Sequence, residues 1–155
     1  MIKLRKPTSE DAEELARLVD ELNVHEGDPT GHFTAEKALA DVIAEDAPVS
    51  ALIAEDERGA VGYAIWCFSY ETAWAARGSY LADLYVRDRA RKMGVGDALL
   101  RGVARATRDA GGSFFWWTAY RTNDRARAFY RNRVGIEDDV VAYAAAHEAF
   151  EALLR

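Results

Sequence analysis

Apolar positions recur along the chain with two different periods, and each change of period predicts a change of element. Ile2 and Leu4 alternate with Lys3 and Arg5, the two-residue period of a short strand. Thr8 then stands where an N-cap belongs, with Glu10 and Asp11 placed to favour the positive end of a helix dipole. Leu15, Leu18, Val19 and Leu22 follow at helical spacing, so a helix is expected from about Ser9 to Leu22. The stretch Asn23 to Phe33 has turn chemistry and no period, and it reads as a loop that carries His25 and Glu26. Thr34 can cap a second helix through Ala38, Leu39, Val42 and Ile43, which ends before Pro48.

The middle of the chain changes to strands. Val49 to Ala54 and Val61 to Phe68 are joined by the charged turn Glu55 to Ala60, and a linker from Ser69 to Ser79 leads to a third strand, Tyr80 to Val86. A basic segment, Arg87 to Gly96, opens a helix with Val95, Leu99, Val103 and Ala106 on one face, and Gly111 and Gly112 stop it. Ser113 to Thr118 reads as a strand dense in aromatics. Asn123 caps a short helix ending near Asn132, Val140 to Ala144 reads as a final strand, and His147 to Leu154 is helical by propensity. The order β-α-α-β-β-β-α-β-α-β gives an α/β (α+β) fold. It implies a mixed, mostly antiparallel sheet with helices on both faces.

Composition narrows the class. Half of the 155 residues are hydrophobic, enough for one substantial core, and no repeat or long linker divides the chain, so 1–155 is expected to be a single domain. Asp and Glu (26) exceed Lys and Arg (20), a net charge of -6, whereas a bulk nucleic-acid binder leans basic; no nucleic-acid partner is expected. No apolar run approaches the ~20 residues that span a bilayer, and Met1 to Pro7 lacks a signal peptide's apolar stretch. Cys67 is the only cysteine, so neither an internal disulfide nor a zinc-type cysteine cluster can form. The expectation is a cytoplasmic protein without a membrane partner. Three histidines without metal spacing and no Ser-His-Asp constellation point to no metal and no acyl-serine chemistry.

The chemistry concentrates where Leu84-Tyr85-Val86 closes a strand and Arg91-Lys92-Met93-Gly94-Val95-Gly96 precedes a helix. A strand, a glycine-containing turn and a helix N-terminus gather free N–H groups and the helix dipole in one small volume, a geometry that binds phosphate. Arg91 and Lys92 add charge beside it. No Lys-Ser or Lys-Thr follows the second glycine, so a nucleoside-triphosphate loop is excluded, and the missing third glycine rules out the dinucleotide fingerprint. On spacing alone, two glycines could merely open a helix.

Arg-x-x-Gly-x-Gly after Leu-Tyr-Val resembles the signature of the GNAT acetyltransferase superfamily, whose members hold the CoA pyrophosphate on this turn. Farther on, Asn123-x-x-Ala126-x-x-Phe129-Tyr130 with Val134-Gly135-Ile136 is similar to a second motif of the family, in the expected order and separation. Tyr80 to Val86 and the terminal Glu148 to Leu154 helix look most like the diamine (spermidine/spermine) N-acetyltransferase branch, although that branch usually has an acidic residue where this chain has Ala82.

The resemblance implies a GNAT-like sheet of six to seven strands and an acetyl-CoA-dependent N-acetyltransferase, acting on a primary amine of a small molecule and assembling as a homodimer. It gives the strand that ends at Val86 a bulge and places Leu84, Tyr85 and Val86 against the thioester and pantetheine through main-chain atoms. The turn from Arg91 to Gly96 takes the pyrophosphate, Asn123 lies near CoA, and Tyr130 donates a proton to the departing thiolate. The alternative is a GNAT-like domain that binds CoA without turnover, a reading encouraged by Ala82. An amine of pKa ~10.4 is neutral about once in 10³ molecules at pH 7, a handicap of ~4 kcal/mol, so an enzyme needs a base. Asp83, Glu71, Glu26 and His25, or a water chain, are the candidates. Strand alternation turns Asp83 to the sheet face opposite Ala82. The aromatic run Phe114 to Trp117 reads as a buried central strand, and the nearby arginines Arg121, Arg125, Arg127, Arg131 and Arg133 as a solvated helix face.

Overall fold

The alternating segments of the first three-quarters of the chain assemble into one five-stranded sheet. A computed structural model describes residues 1–155, and internal contacts divide them into two compact units, Met1–Thr118 and Ala119–Arg155. In the first unit, β1 (Lys3–Arg5), β2 (Ser50–Asp56), β3 (Gly59–Glu71), β4 (Ala76–Val86) and β5 (Phe114–Trp116) lie in spatial order β1-β2-β3-β4-β5. The first four are antiparallel neighbours, and β5 runs parallel to β4. A parallel neighbour requires a crossover, which α3 (Val95–Asp109) provides.

Helices cover both faces. On one, α1 (Ala12–Glu26) and α2 (Ala35–Ala38, continued by a wider turn over Leu39–Ile43) pack Leu15, Leu18 and Val42 against Ala51, Tyr63 and Ile65. Leu15 and Leu18 are fully buried, each contributing roughly 2 kcal/mol through apolar area removed from water. On the other, α3 lies so close to the sheet that a Cβ on Gly102 would sit 2.6 Å from Leu52 Cδ1 and 3.2 Å from Leu4 Cδ1. Ala51 faces the first layer and its neighbour Leu52 the second, as the pleat requires. No helix is long and apolar enough to cross a membrane.

Charge ties the elements together at their ends. Arg87, just past β4, bonds Glu21 (2.6 Å) and Glu14 (2.7 Å) of α1 and the Ala60 carbonyl (2.8 Å), which pins the end of β4 to the helix above it. Arg5 joins Glu55 of β2 (2.8 Å) to Asp11 (2.6 Å), and the Asp11 carboxylate also accepts from the Thr8 N–H at 2.7 Å. The Arg5 guanidinium, helped by Thr8, holds the Asp11 carboxyl at about 2. A depressed carboxyl stabilises the fold above the ordinary carboxylate range and loses that contribution as pH falls through its folded value. Global stability is therefore expected to drop by about 1–2 kcal/mol from this pair between pH 4 and 2. Denaturant melts of wild type and Asp11→Asn across that window check it: the variant should lack this part of the slope.

Several boundaries differ from the sequence reading. The first helix begins with a tight turn at Ser9–Asp11 and runs to Glu26, where Gly27 ends it in the left-handed region (φ 80), so His25 and Glu26 belong to the last turn of α1 and not to a loop. The expected linker Ser69 to Ser79 extends both strands into a long hairpin with a four-residue turn, pairing Ser69 with Gly78, Tyr70 with Arg77 and Glu71 with Ala76. β5 is a three-residue edge strand, not a central one, and Trp116 is 47% exposed.

The second unit contains α4 (Asp124–Arg131) and α5 (Glu148–Leu153). Asn123 caps α4, its side-chain oxygen accepting from the Ala126 N–H at 3.1 Å. Arg131 and Arg127 bond Glu137 at 2.7 and 3.0 Å, and Arg121 pairs with Asp139. Val140 to Ala144 forms no strand, so the sheet has five strands where six or seven were expected. Its three β-favouring residues run into the alanines Ala144 to Ala146, and Val141 and Tyr143 stay exposed. A strand is held by ladder bonds and cross-strand packing, and this one has neither.

Candidate functional site

The site is built on an irregularity of β4. Ile65 of β3 stands opposite Asp83, but the next residue, Trp66, stands opposite Leu81, so Ala82 is an extra residue and β4 bulges there. Beyond the bulge Leu84, Tyr85 and Val86 continue to pair with Ala64, Tyr63 and Gly62. On its other side β4 meets β5 only over Gly78–Tyr80. From Leu81 to Val86 that edge of the strand has no sheet partner, although it sits beside covered layers. An extended ligand can pair with such an edge as an added strand would.

The edge leads directly into the glycine turn. Lys92 (φ 64) and Gly94 (φ 79) both adopt left-handed backbone, which winds the chain tightly before α3. Gly94 is the N-cap and supplies no side chain to the helix; the first bond of α3 runs from the Ala98 N–H to the Gly94 carbonyl at 3.0 Å. The amides ahead of Ala98, including those of Val95 and Gly96, therefore lack an intrahelical acceptor and lie at the positive end of the dipole. Val95 is buried and offers the site only its N–H, while Lys92 and Met93 are exposed. Arg91 turns inward: its Nε donates to the Val86 carbonyl at 2.9 Å and its guanidinium pairs with Asp88. It braces the turn against the end of β4, leaving Lys92 as the cation on the turn's surface.

Among the candidate bases, the bulge decides. Ser79 faces α3, with its Oγ 2.8 Å from Thr107 Oγ1. Strict alternation from Ser79 would send Leu81 and Asp83 to that same face. The extra residue resets the parity, and Asp83 emerges on the α1 face, where it accepts from the Tyr63 hydroxyl at 3.0 Å. Alternation from Ala82 therefore does not describe Asp83. Burial pushes the Asp83 carboxyl above its ordinary range, opposed by the bond from Tyr63. Glu26, at the end of α1, is raised by burial and by the neighbouring charges of Asp28 and Asp83. His25 is exposed beside it. Glu71 is elsewhere: it caps the hairpin turn through the Ala73 N–H at 2.9 Å, six residues beyond Ile65, or about 20 Å along β3.

Asn123 and Tyr130 belong to the second unit. Asn123 has the capping bond already described, and Tyr130 is half-buried near the end of α4 with its ring 5.3 Å from that of Phe129. The Tyr130 carbonyl accepts from Arg133 and Val134 as the helix closes ahead of Gly135.

Comparison with known proteins gives this arrangement a context. The model of the acetyltransferase (GNAT) family matches residues 12–136. A thialysine N-epsilon-acetyltransferase of Bos taurus is 31% identical over 146 residues, covering 88% of this chain and 85% of that protein. An integron cassette protein from the mobile metagenome of V. cholerae shares the fold with a TM-score of 0.80 at 19% identity, covering 99% and 98% of the two chains. A ribosomal-protein-alanine N-acetyltransferase from Brucella melitensis biovar Abortus 2308 does so with a TM-score of 0.74 at 19% identity, covering 95% and 100%.

Proposed function

The chain belongs to the GNAT acetyltransferase family, and we propose that it moves the acetyl group of acetyl-CoA directly to a primary amine of a small molecule, such as a polyamine or an amino acid. The observation that carries this reading is the continuity of two donor surfaces: the unpartnered edge of β4 from Leu81 to Val86 and the uncapped start of α3. One suits an extended amide-bearing arm and the other a pyrophosphate. Leu84, Tyr85 and Val86 would hold the arm and the thioester through their main chain. Lys92, Met93, Gly94, Val95 and Gly96 would hold the phosphates on the turn that Arg91 braces, and the family resemblance gives Asn123 a place near CoA.

When bound, acetyl-CoA supplies an activated acyl group, and the protein's part is orientation, charge and proton handling. Main-chain N–H groups at the bulged strand favour negative charge on the carbonyl oxygen at the moment of attack. A phenol of ordinary pKa ~10 stays protonated at neutral pH and can hydrogen-bond a sulfur whose free thiol has pKa ~8.5, the role proposed for Tyr130. No metal is required by these steps. The family model covers residues 12–136, reaching from the first unit into the second, which supports treating 1–155 as one domain. The relatives' amine substrate supports the choice of acceptor. The lone Cys67 suits the reducing cytoplasm in which we place the protein, and the family resemblance supports a homodimer.

An amine acceptor has a kinetic signature. Turnover should rise with pH from 6 to 9 as the acceptor or its base loses a proton. Initial rates of CoA thiol release with a panel of primary amines check this. A flat profile, with chemistry shown to limit the rate, would remove that proton from the mechanism.

A further inference from the structure

The bulge at Ala82 places a carboxylate where the sequence pattern denies one. Asp83 lies on the α1 side of the sheet, next to the strand edge that the proposed thioester would occupy. Its Oδ2 is fixed by the Tyr63 hydroxyl at 3.0 Å. Its Oδ1 makes no hydrogen bond within the protein and is not sealed in the interior, since no buried polar side-chain atom is left unsatisfied. One oxygen is thus held and the other open, an arrangement that can accept a proton without losing its orientation.

The partner that holds Asp83 is anchored in the core. Tyr63 is fully buried, pairs in register with Tyr85 across β3 and β4, and packs in the cluster formed by α1, α2 and the sheet. Burial and the nearby carboxylates of Asp83 and Glu26 hold its phenol far above the ordinary range, so it stays a donor at every working pH. The groups facing Asp83 are Tyr63 from β3 and Glu26 from the end of α1, with Asp28 beyond it and Tyr85 farther along β4. The surrounding charge is negative, which attracts an ammonium ion and favours its approach to Oδ1.

We propose that Asp83 is the base that receives the acceptor's ammonium group and takes its proton, and that Tyr63 is its positioning residue; this rests on the amine-acetylation reading above. In the step, one proton passes from the ammonium nitrogen to Asp83 Oδ1. The freed lone pair forms the N–C bond to the acetyl carbon as the C–S bond breaks. A second proton leaves the new amide nitrogen and ends on the departing sulfur, giving the thiol, and Asp83 returns its proton to solvent. The carboxylate one residue beyond Ala82 thereby does the work for which Ala82 has no group. Burial raises its affinity for protons, the direction that a base facing an ammonium group requires.

The test uses the full chain and two shape-preserving variants. Asp83→Asn should lower kcat with a primary amine by about 10²- to 10⁴-fold, the range for loss of a positioned base, with CoA affinity and thermal stability nearly unchanged. Tyr63→Phe keeps the ring and removes the donor that favours the carboxylate form. The Asp83 carboxyl then binds its proton more tightly, and the acid limb of the kcat/KM profile moves to higher pH. The rate should fall more on the acid limb, about 3- to 10-fold, than on the high-pH plateau, where less than twofold is expected. A purely structural Tyr63 would change the rate equally at all pH. Asp83→Asn within twofold of an active wild type, or an unmoved acid limb in folded Tyr63→Phe, overturns the assignment and leaves amine acetylation standing. A wild type that acetylates no amine overturns both.

Discussion

Tyr130→Phe should lower kcat by roughly 10- to 10³-fold while CoA affinity and thermal stability change little. The substitution keeps the aromatic ring, which lies 5.3 Å from Phe129 near the end of α4, and removes only the hydroxyl. Packing and acid catalysis therefore separate. If the hydroxyl protonates the departing sulfur, its loss leaves a thiolate to be protonated by water, and the penalty falls on the chemical step alone. If Tyr130 only packs, the rate stays near normal. Single-turnover kinetics, where chemistry limits, make the comparison. A rate within twofold of wild type removes Tyr130 from the catalytic residues.

Gly96→Val should weaken CoA binding by about 30-fold or more, equivalent to roughly 2 kcal/mol. Gly96 lies in the first turn of α3, among amides that have no intrahelical acceptor, and a branched side chain there stands between those amides and a phosphate. The effect should fall mainly on binding, because Gly96 is only partly buried while Val95 anchors the turn in the core. Calorimetric titration with CoA, alongside circular dichroism to show a folded variant, reads the result. Unchanged affinity in a folded Gly96→Val protein removes the turn as the pyrophosphate site.

Helices and strands with a strong period were legible from the sequence, and those whose definition depends on partners were not. Leu15, Leu18 and Leu22 announce α1, and Asn123 announces the start of α4, because the cause is local: spacing in one case, a side-chain cap in the other. The hairpin between Phe68 and Ser79 has no buried apolar face, with Phe68 and Tyr70 exposed, and only the register of β3 against β4 makes it two strands. Val140 to Ala144 is the converse, a passable strand pattern with nothing to pair with.

The site divides in the same way. The glycine turn was readable because its backbone demands glycine at Gly94 and its helix needs an N-terminus. Strict alternation misplaces Asp83 because one inserted residue reverses the parity of every side chain after it; hydropathy carries no mark of the bulge at Ala82, and only the family resemblance points to a bulge in this strand. The dense acidic and aromatic pairing around Tyr63 was equally hidden, since a tyrosine inside an apolar run reads as core until its hydroxyl is seen to reach a carboxylate.

Product analysis shows whether this chain acetylates amines. The purified chain is incubated with acetyl-CoA and a panel of primary amines, including polyamines and amino acids with side-chain amines, and the mixture is resolved by mass spectrometry while free thiol is titrated. One acetyl group should be gained on an amine nitrogen for each CoA thiol released, with no reaction when the amine is already acetylated. CoA binding without acetylation of any amine in the panel, or transfer to hydroxyl or thiol acceptors in preference to amines, would contradict it.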